Sequence, residues 1–331
     1  MKPSKIQNKK IRNPQSAIRN PQSAIRNPKS EIRNPQSPIP NPQSPIRNSQ
    51  SAIRVFIAPG AGFCFGVKRA IQMAEKAAAE TGGKVYTLGP LIHNPQVVEK
   101  LHEQGVELTA GIEDLPPGAV LILRSHGVGP SVYARAEKAG LKIVDATCPN
   151  VKKVQRLAIE LKKKGYCLVI LGEEHHPEVE SIIETVNNEA YVVNGVKESE
   201  GIPSGRRIGL IAQTTQTLKN LEAVTAFLIR GAEELRVYNT LCEAVSTRQS
   251  ASLDLAKKVD LMLVVGGYNS ANTTRLAQIC HQAGCETHHI EVAAQIDPAW
   301  FGNKQKVGIT AGASTPPWII EEVREVVASL K

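Results

Sequence analysis

Three cysteines share one local setting, and their chemistry is that of a thiolate. RVFIAPGAGFC runs into FGVKRAIQMAEKA at Cys64, KIVDATC into PNVKKVQRLAIELKK at Cys148, and LRVYNTLC into EAVSTRQSASLDLAKK at Cys242. Each is a strand-like run, a short turn, a cysteine and then a helical pattern. A cysteine at a helix N-terminus feels the positive end of the helix dipole, which favours the thiolate, the form that ligates metal. No C-x-x-C pair occurs, so there is no local zinc or ferredoxin motif. Three distant thiolates brought together suit an iron–sulfur cubane with three protein ligands and one exchangeable iron. Zinc on three cysteines with an open site is the inorganic alternative, and three unrelated buried thiols the plain one. Cys167 begins an apolar strand, Cys280 lies in a helix and Cys285 follows one; all three read as small buried hydrophobes.

A second set of polar residues sits just past apolar runs. VLILR precedes Ser125-His126-Gly127, CLVILG precedes EEHHPEVES (173–181), and RIGLIA precedes Gln213-Thr214-Thr215. LMLVVGG precedes YNSANTTRL (268–276), VGIT precedes Ala311-Gly312-Ala313-Ser314, and His93 follows another such run. In open α/β sheets ligands bind beyond the carboxyl ends of strands. Three histidines, hydroxyls and an amide make a poor metal shell but a good oxyanion cradle, and helix N-termini at NSANTT and GASTPP add backbone donors for phosphate. Taken singly, each Ser, Thr or Asn is an ordinary N-cap. Glu178, two residues from His176 in one loop, is the candidate proton donor. Lys68, Arg69, Lys152, Lys153 and Arg248 follow the cysteines and read as solvated helix faces, with long-range attraction for anions the lesser reading.

The elements that must position these residues alternate. Strand candidates are 55–58, 85–88, 120–124, 142–145, 167–171, 208–212, 236–239, 261–265 and 307–310, with amphipathic segments such as 67–80 between them. Such alternation implies parallel α/β sheets. The cysteine intervals, 84 and 94 residues, are those of a structural repeat. They predict three small α/β domains in a pseudo-threefold arrangement (54–148, 149–241 and 242–331), with each cysteine near a junction.

Net charge +9 suggests nucleic acid until it is located. Residues 1–54 hold eleven of the 40 Lys/Arg and one of the 31 Asp/Glu, leaving 29 bases against 30 acids in the body. No nucleic-acid role is therefore expected of the body. From Asn13 the chain repeats every seven residues (NPQSAIR, NPQSAIR, NPKSEIR, NPQSPIP, NPQSPIR, NSQSAIR). Pro14, Pro21, Pro28, Pro35 and Pro42 rule out a coiled coil, each costing a helix ~3 kcal/mol. One Ile per repeat buries too little to offset ordering entropy, so residues 1–53 are expected to be disordered. Near-identical copies read as an expanded DNA repeat translated in frame, and not as a plastid transit peptide. No apolar run approaches the ~20 residues of a membrane span, and the expected location is the cytoplasm.

AGFCFGVKRAI, GPLIHNPQVV, RSHGV, VDATCPNVKKV, HPEVE, AQTT, NTLCEAVSTRQ, GGYNSANTTRL and GITAGASTP, in this order over about 55–330, resemble the LytB/IspH family of 4-hydroxy-3-methylbut-2-enyl diphosphate reductases. The resemblance implies a trefoil α/β fold around a central [4Fe–4S] cluster on Cys64, Cys148 and Cys242, with one open iron. It implies two-electron removal of the substrate's allylic hydroxyl, giving isopentenyl and dimethylallyl diphosphates, the last step of the non-mevalonate isoprenoid route. It places His93, His126, His176, Ser270, Asn272 and Ser314 on the diphosphate, makes Glu178 the proton-delivering acid, and makes Thr214 the hydroxyl that positions acid and substrate. Electrons are expected from a ferredoxin or flavodoxin, since the chain carries no flavin or nicotinamide fingerprint. One departure shows: Ser270-Ala271-Asn272 stands where many relatives have Ser-Ser-Asn. The competing functions are a three-cysteine zinc hydrolase of a phosphorylated substrate and a non-catalytic phosphate-binding scaffold.

Overall fold

The computed structural model describes residues 52–82 and 85–330; the expectation for residues 1–53 therefore lies outside the described residues as far as residue 51. The chain runs β1 (Arg54–Ile57), α1 (Phe65–Thr81), β2 (Val85–Leu88), α2 (Pro95–Glu103), β3 (Val106–Thr109), β4 (Val120–Leu123), α3 (Pro130–Lys138) and β5 (Lys142–Asp145). It continues through α4 (Pro149–Lys163), β6 (Cys167–Leu171), α5 (Pro177–Thr185), β7 (Tyr191–Val193), α6 (Val196–Ser199), β8 (Arg207–Ala212), α7 (Leu218–Leu228) and β9 (Glu234–Val237). The last part is α8 (Glu243–Ala256), β10 (Leu261–Val265), α9 (Ala271–Gln282), β11 (Glu286–Ile290), β12 (Lys306–Ala311) and α10 (Pro317–Ser329).

The strands form three four-stranded sheets, ordered β3-β2-β4-β5, β7-β6-β8-β9 and β11-β10-β12-β1. Every pairing is parallel. The three orders are one topology repeated, as the cysteine spacing predicts. The first segment begins differently from expectation, however. β1 does not join β2; it pairs with β12, Val55 opposite Val307, and completes the third sheet. The fourth strand of each sheet thus leads to a cysteine: β5 to Cys148, β9 to Cys242, and β1 to Cys64.

Parallel sheets covered on both faces need strands that are apolar throughout. In β4, Val120 and Ile122 enter one core while Leu121 and Leu123 enter another. Leu168 and Ile170 of β6 divide from Val169 and Leu171 in the same way. In β10, Leu261, Leu263 and Val265 face one cluster, and Met262 and Val264 the other. Helix faces close these cores. Ala70, Ala74, Ala77 and Ala78 of α1 pack with β2 and β4, Val154, Ala158 and Leu161 of α4 with β6, and Leu255 and Ala256 of α8 with β10. Each cysteine helix therefore packs on the sheet after the one that delivered it, which puts all three cysteines at junctions.

Three strands escape sequence reading: β3, β7 and β11. Each is the same edge of its sheet, and each is short or polar (VELT, YVV, ETHHI) because an edge buries less of its surface. β9 also lies two residues earlier than expected.

Candidate active site

Cys64, Cys148 and Cys242 are the N-caps of α1, α4 and α8. Their backbone N–H groups donate to Ala313 O at 3.1 Å, Ser125 O at 2.9 Å and Thr214 O at 3.0 Å respectively. All three acceptors follow the third strand of their sheet, so one hydrogen bond type ties each cysteine to a strand-end loop. Cys64 Sγ accepts from Val67 N at 3.5 Å, and Cys242 Sγ from Asn150 Nδ2 at 3.2 Å. Gly66 is needed where it stands: a Cβ there would lie 2.8 Å from Cys148 Sγ. The helix-dipole expectation needs correction at Cys148. Burial pushes its thiol above the ordinary range despite N–H groups of Asn150 and Val151 that favour the thiolate. Desolvation outweighs the cap there.

The polar strand ends repeat with the sheets. After the second strand of each sheet (β2, β6 and β10) come His93, then His176 as N-cap of α5, then Ser270 as N-cap of α9. After the third strand come His126, Thr214 and Ser314. All six line one pocket with the three cysteines, Glu178, Ala271 and Asn272. Ring centroids are 4.3 Å apart for His93–His126, 5.9 Å for His93–His176 and 5.5 Å for His126–His176. His176 Nδ1 accepts from Glu178 N at 3.1 Å, which leaves the proton of the neutral ring on Nε2. Burial lowers all three histidines: His126 well below its usual value, His176 to about 4, and His93 with help from the Arg124 guanidinium. His93 Nε2, His126 Nδ1 and both side-chain atoms of Asn272 are buried without a protein partner. Buried polar atoms are normally satisfied, so these point to a ligand.

The donor set decides which ligand goes where. Among the described residues, His93, His126 and His176 are the set whose donor atoms all lie within 4.8 Å of one another. Hydroxyls and an amide share their pocket, and that mixture of donors fits a phosphoryl group better than a cation. The three thiols do not form so tight a set. One tetrahedral zinc with bonds of ~2.3 Å would need sulfurs about 4 Å apart.

Glu178 lies in the first turn of α5 and is 2% exposed. Its Oε1 accepts from Thr214 N and its Oε2 from Thr214 Oγ1, both at 2.7 Å. Those bonds favour the carboxylate, but burial is the larger effect and raises the group to about 7. With Oε1 held by an N–H, a proton on this acid sits on Oε2, facing the Thr214 hydroxyl. Ser314 Oγ donates to His93 O at 3.1 Å, joining the first and third sheets' strand ends.

Every site residue expected from sequence lies in this pocket. Sequence reading missed Asn150, whose only signal was its place two residues after Cys148. It also misjudged Arg248, which is not on a solvated face but 3% exposed. Its long side chain reaches backbone carbonyls nearly 190 residues away in sequence, a contact that only the tertiary fold creates.

The family profile described as "LytB protein" matches residues 55–328. A 4-hydroxy-3-methylbut-2-enyl diphosphate reductase of Geobacter sp. (strain M21) is 50% identical over 278 residues, covering 84% of this chain and 98% of that protein. The protein of that name from Pelobacter propionicus is 50% identical over 270 residues, 82% of this chain and 96% of its own. The solved structure of an (E)-4-hydroxy-3-methyl-but-2-enyl diphosphate reductase, described as the terminal enzyme of the non-mevalonate pathway, aligns with TM-score 0.62 at 42% identity, covering 83% of this chain and 99% of that one. The Plasmodium falciparum reductase aligns with TM-score 0.79 at 25% identity over 83% of this chain and 88% of its own. With one topology repeated three times around a cysteine-lined pocket, and a profile match over nearly all the described residues, the chain belongs to the LytB family.

Proposed function

We propose that this chain reduces 4-hydroxy-3-methylbut-2-enyl diphosphate to isopentenyl and dimethylallyl diphosphates with a [4Fe–4S] cluster on Cys64, Cys148 and Cys242. The observation that carries the reading is the meeting, in one pocket, of three N-cap thiols, a buried acid raised to about 7 and an unsatisfied oxyanion cradle. When bound, such a cluster supplies electrons and an open Lewis-acidic iron for the allylic oxygen. In the net reaction the allylic C–O bond breaks, the oxygen leaves as water, and two electrons from an external ferredoxin or flavodoxin enter. One proton goes to the departing oxygen and one to carbon.

The side chains bind, orient and supply protons. His176 donates from Nε2, and His93 Nε2, His126 Nδ1 and Asn272 Nδ2 donate to phosphoryl oxygens. Ser270, Ser314 and the backbone at Ala271 complete the cradle at the start of α9. Glu178 holds its proton on Oε2, and Thr214 orients that oxygen through both of its bonds. The buried walls exclude water, which strengthens each of these contacts. Free thiols persist in a reducing compartment, and we assign the reaction to the cytoplasm. Among the described residues no helix is long and apolar enough to cross a membrane.

Anaerobic turnover of the hydroxylated diphosphate with a chemical reductant tests the reading. A brown protein that yields both products is expected; a colourless, zinc-loaded protein that hydrolyses phosphate esters overturns it. Ala271→Ser is expected to lower KM by about tenfold with kcat and products unchanged, since one hydrogen bond to a charged group contributes upward of about 1.5 kcal/mol. Wild-type protein that binds no substrate until serine is restored would contradict this.

A further inference from the structure

We propose that Arg248 is the positioning residue of the cysteine centre: it clamps the turn that carries Cys64, and its buried charge offsets the negative charge of the centre. The proposal rests on the cluster reading above.

Arg248 leaves α8 six residues after Cys242 and points away from water. Its Nε donates to Gly60 O at 2.9 Å and its Nη2 to Gly62 O at 2.8 Å, on the turn between β1 and Cys64. Nη1 donates to Ala244 O at 3.0 Å, one turn back on its own helix. One planar guanidinium thus joins the helix that Cys242 starts to the turn that ends at Cys64. A lysine has a point charge on a flexible stem and cannot reproduce that fork.

The charge itself needs an explanation. A buried guanidinium is costly unless an anion is near, because carbonyls carry no formal charge. Among the described residues no carboxylate lies within ion-pairing distance of Arg248. Burial lowers the pKa of Arg248, and Cys64 and Cys242 are the groups that act against that shift when ionised. A cluster on three thiolates is net anionic and gains another negative charge on reduction. A fixed cation beside it therefore favours the reduced state.

The pseudo-symmetry supports a clamping role independently of charge. Arg69, five residues after Cys64, donates from Nη1 to Thr147 O at 3.2 Å, the residue before Cys148. Asn150, two after Cys148, donates to Cys242 Sγ. Arg248, after Cys242, returns to the turn of Cys64. Each cysteine helix holds the next cysteine's turn around a closed ring, and Arg248 is the most deeply buried of the three clamps.

Arg248→Gln and Arg248→Lys, purified as holoenzyme, separate the two roles. The readouts are the cluster's midpoint potential and the rate of cluster loss to a chelator. Arg248→Gln is expected to move the reduction equilibrium at least tenfold towards the oxidised form, about 59 mV more negative for one electron. Arg248→Lys is expected to hold the potential but lose its cluster several-fold faster than wild type. A folded Arg248→Gln protein that takes up no cluster, while Arg248→Lys does, also supports the proposal. If Arg248→Gln keeps the wild-type potential, or Arg248→Lys keeps the wild-type rate of cluster loss, the proposal is overturned. Wild-type protein that binds no iron and sulfide would instead remove the cluster reading beneath it.

Discussion

Glu178→Gln is expected to lower kcat by at least about 100-fold while leaving KM, colour and fold close to wild type, since a positioned general acid contributes ~10²–10⁴ in rate. Gln is nearly isosteric. Its carbonyl oxygen can still accept from Thr214 N, and its amide can donate to Thr214 Oγ1, so both 2.7 Å contacts have a counterpart. What disappears is the proton on Oε2. Wild-type activity that needs this proton falls as pH rises through about 7, the value to which burial raises the group. Stability follows with a definite sign. The folded-state pKa lies above the unfolded one, so the contribution of Glu178 is fully present below about 4.5 and is lost as pH rises through about 7. The loss is on the order of 3 kcal/mol. Glu178→Gln lacks this loss, so its Tm should gain on wild type across that interval. The histidines act in the opposite sense, with depressed values, but they are common to both proteins and cancel in the comparison. Activity within threefold of wild type, or a Tm difference independent of pH, would remove Glu178 as the acid.

Cys148→Ser is expected to abolish the visible absorption of the proposed cluster and with it all reductase turnover, while far-ultraviolet circular dichroism stays that of the wild type. A serine hydroxyl is not a thiolate, and it ionises far less readily at neutral pH. Burial already holds the Cys148 thiol above the ordinary range, so a hydroxyl in its place has still less access to an anionic form. Cys64 N, Cys148 N and Cys242 N keep their carbonyl partners in such a variant, and so does the fold. Cys285→Ser is the control: that thiol packs beside Val259 at the third sheet, far from the pocket in role, and its loss should leave colour and rate unchanged. A brown, active Cys148→Ser protein would end the three-ligand assignment.

Several parts of this arrangement are legible in the sequence. The unbroken apolar runs of β4, β6 and β10 mark central strands because both faces of each are buried. The equal settings of Cys64, Cys148 and Cys242 mark a repeat because one topology recurs. The edge strands β3, β7 and β11 were not legible, since an edge lacks the burial that writes an apolar pattern into sequence. β1 is apolar enough to be found, yet nothing local says which sheet it enters. That choice is made by pairing with β12, some 250 residues further on.

The groups proposed for the chemistry are written locally: three N-cap cysteines, the histidine and hydroxyl strand ends, and Glu178. Those depend on residue type and on position relative to the nearest strand or helix, and both are local. The raised pKa of Glu178, the satisfaction of each polar atom and the depth of Arg248 arise only once the chain is packed. Desolvation and hydrogen bonding to distant backbone are properties of the packed chain. A residue such as Arg248, six places from a cysteine on a helix, looks solvated until the turn of another sheet closes over it.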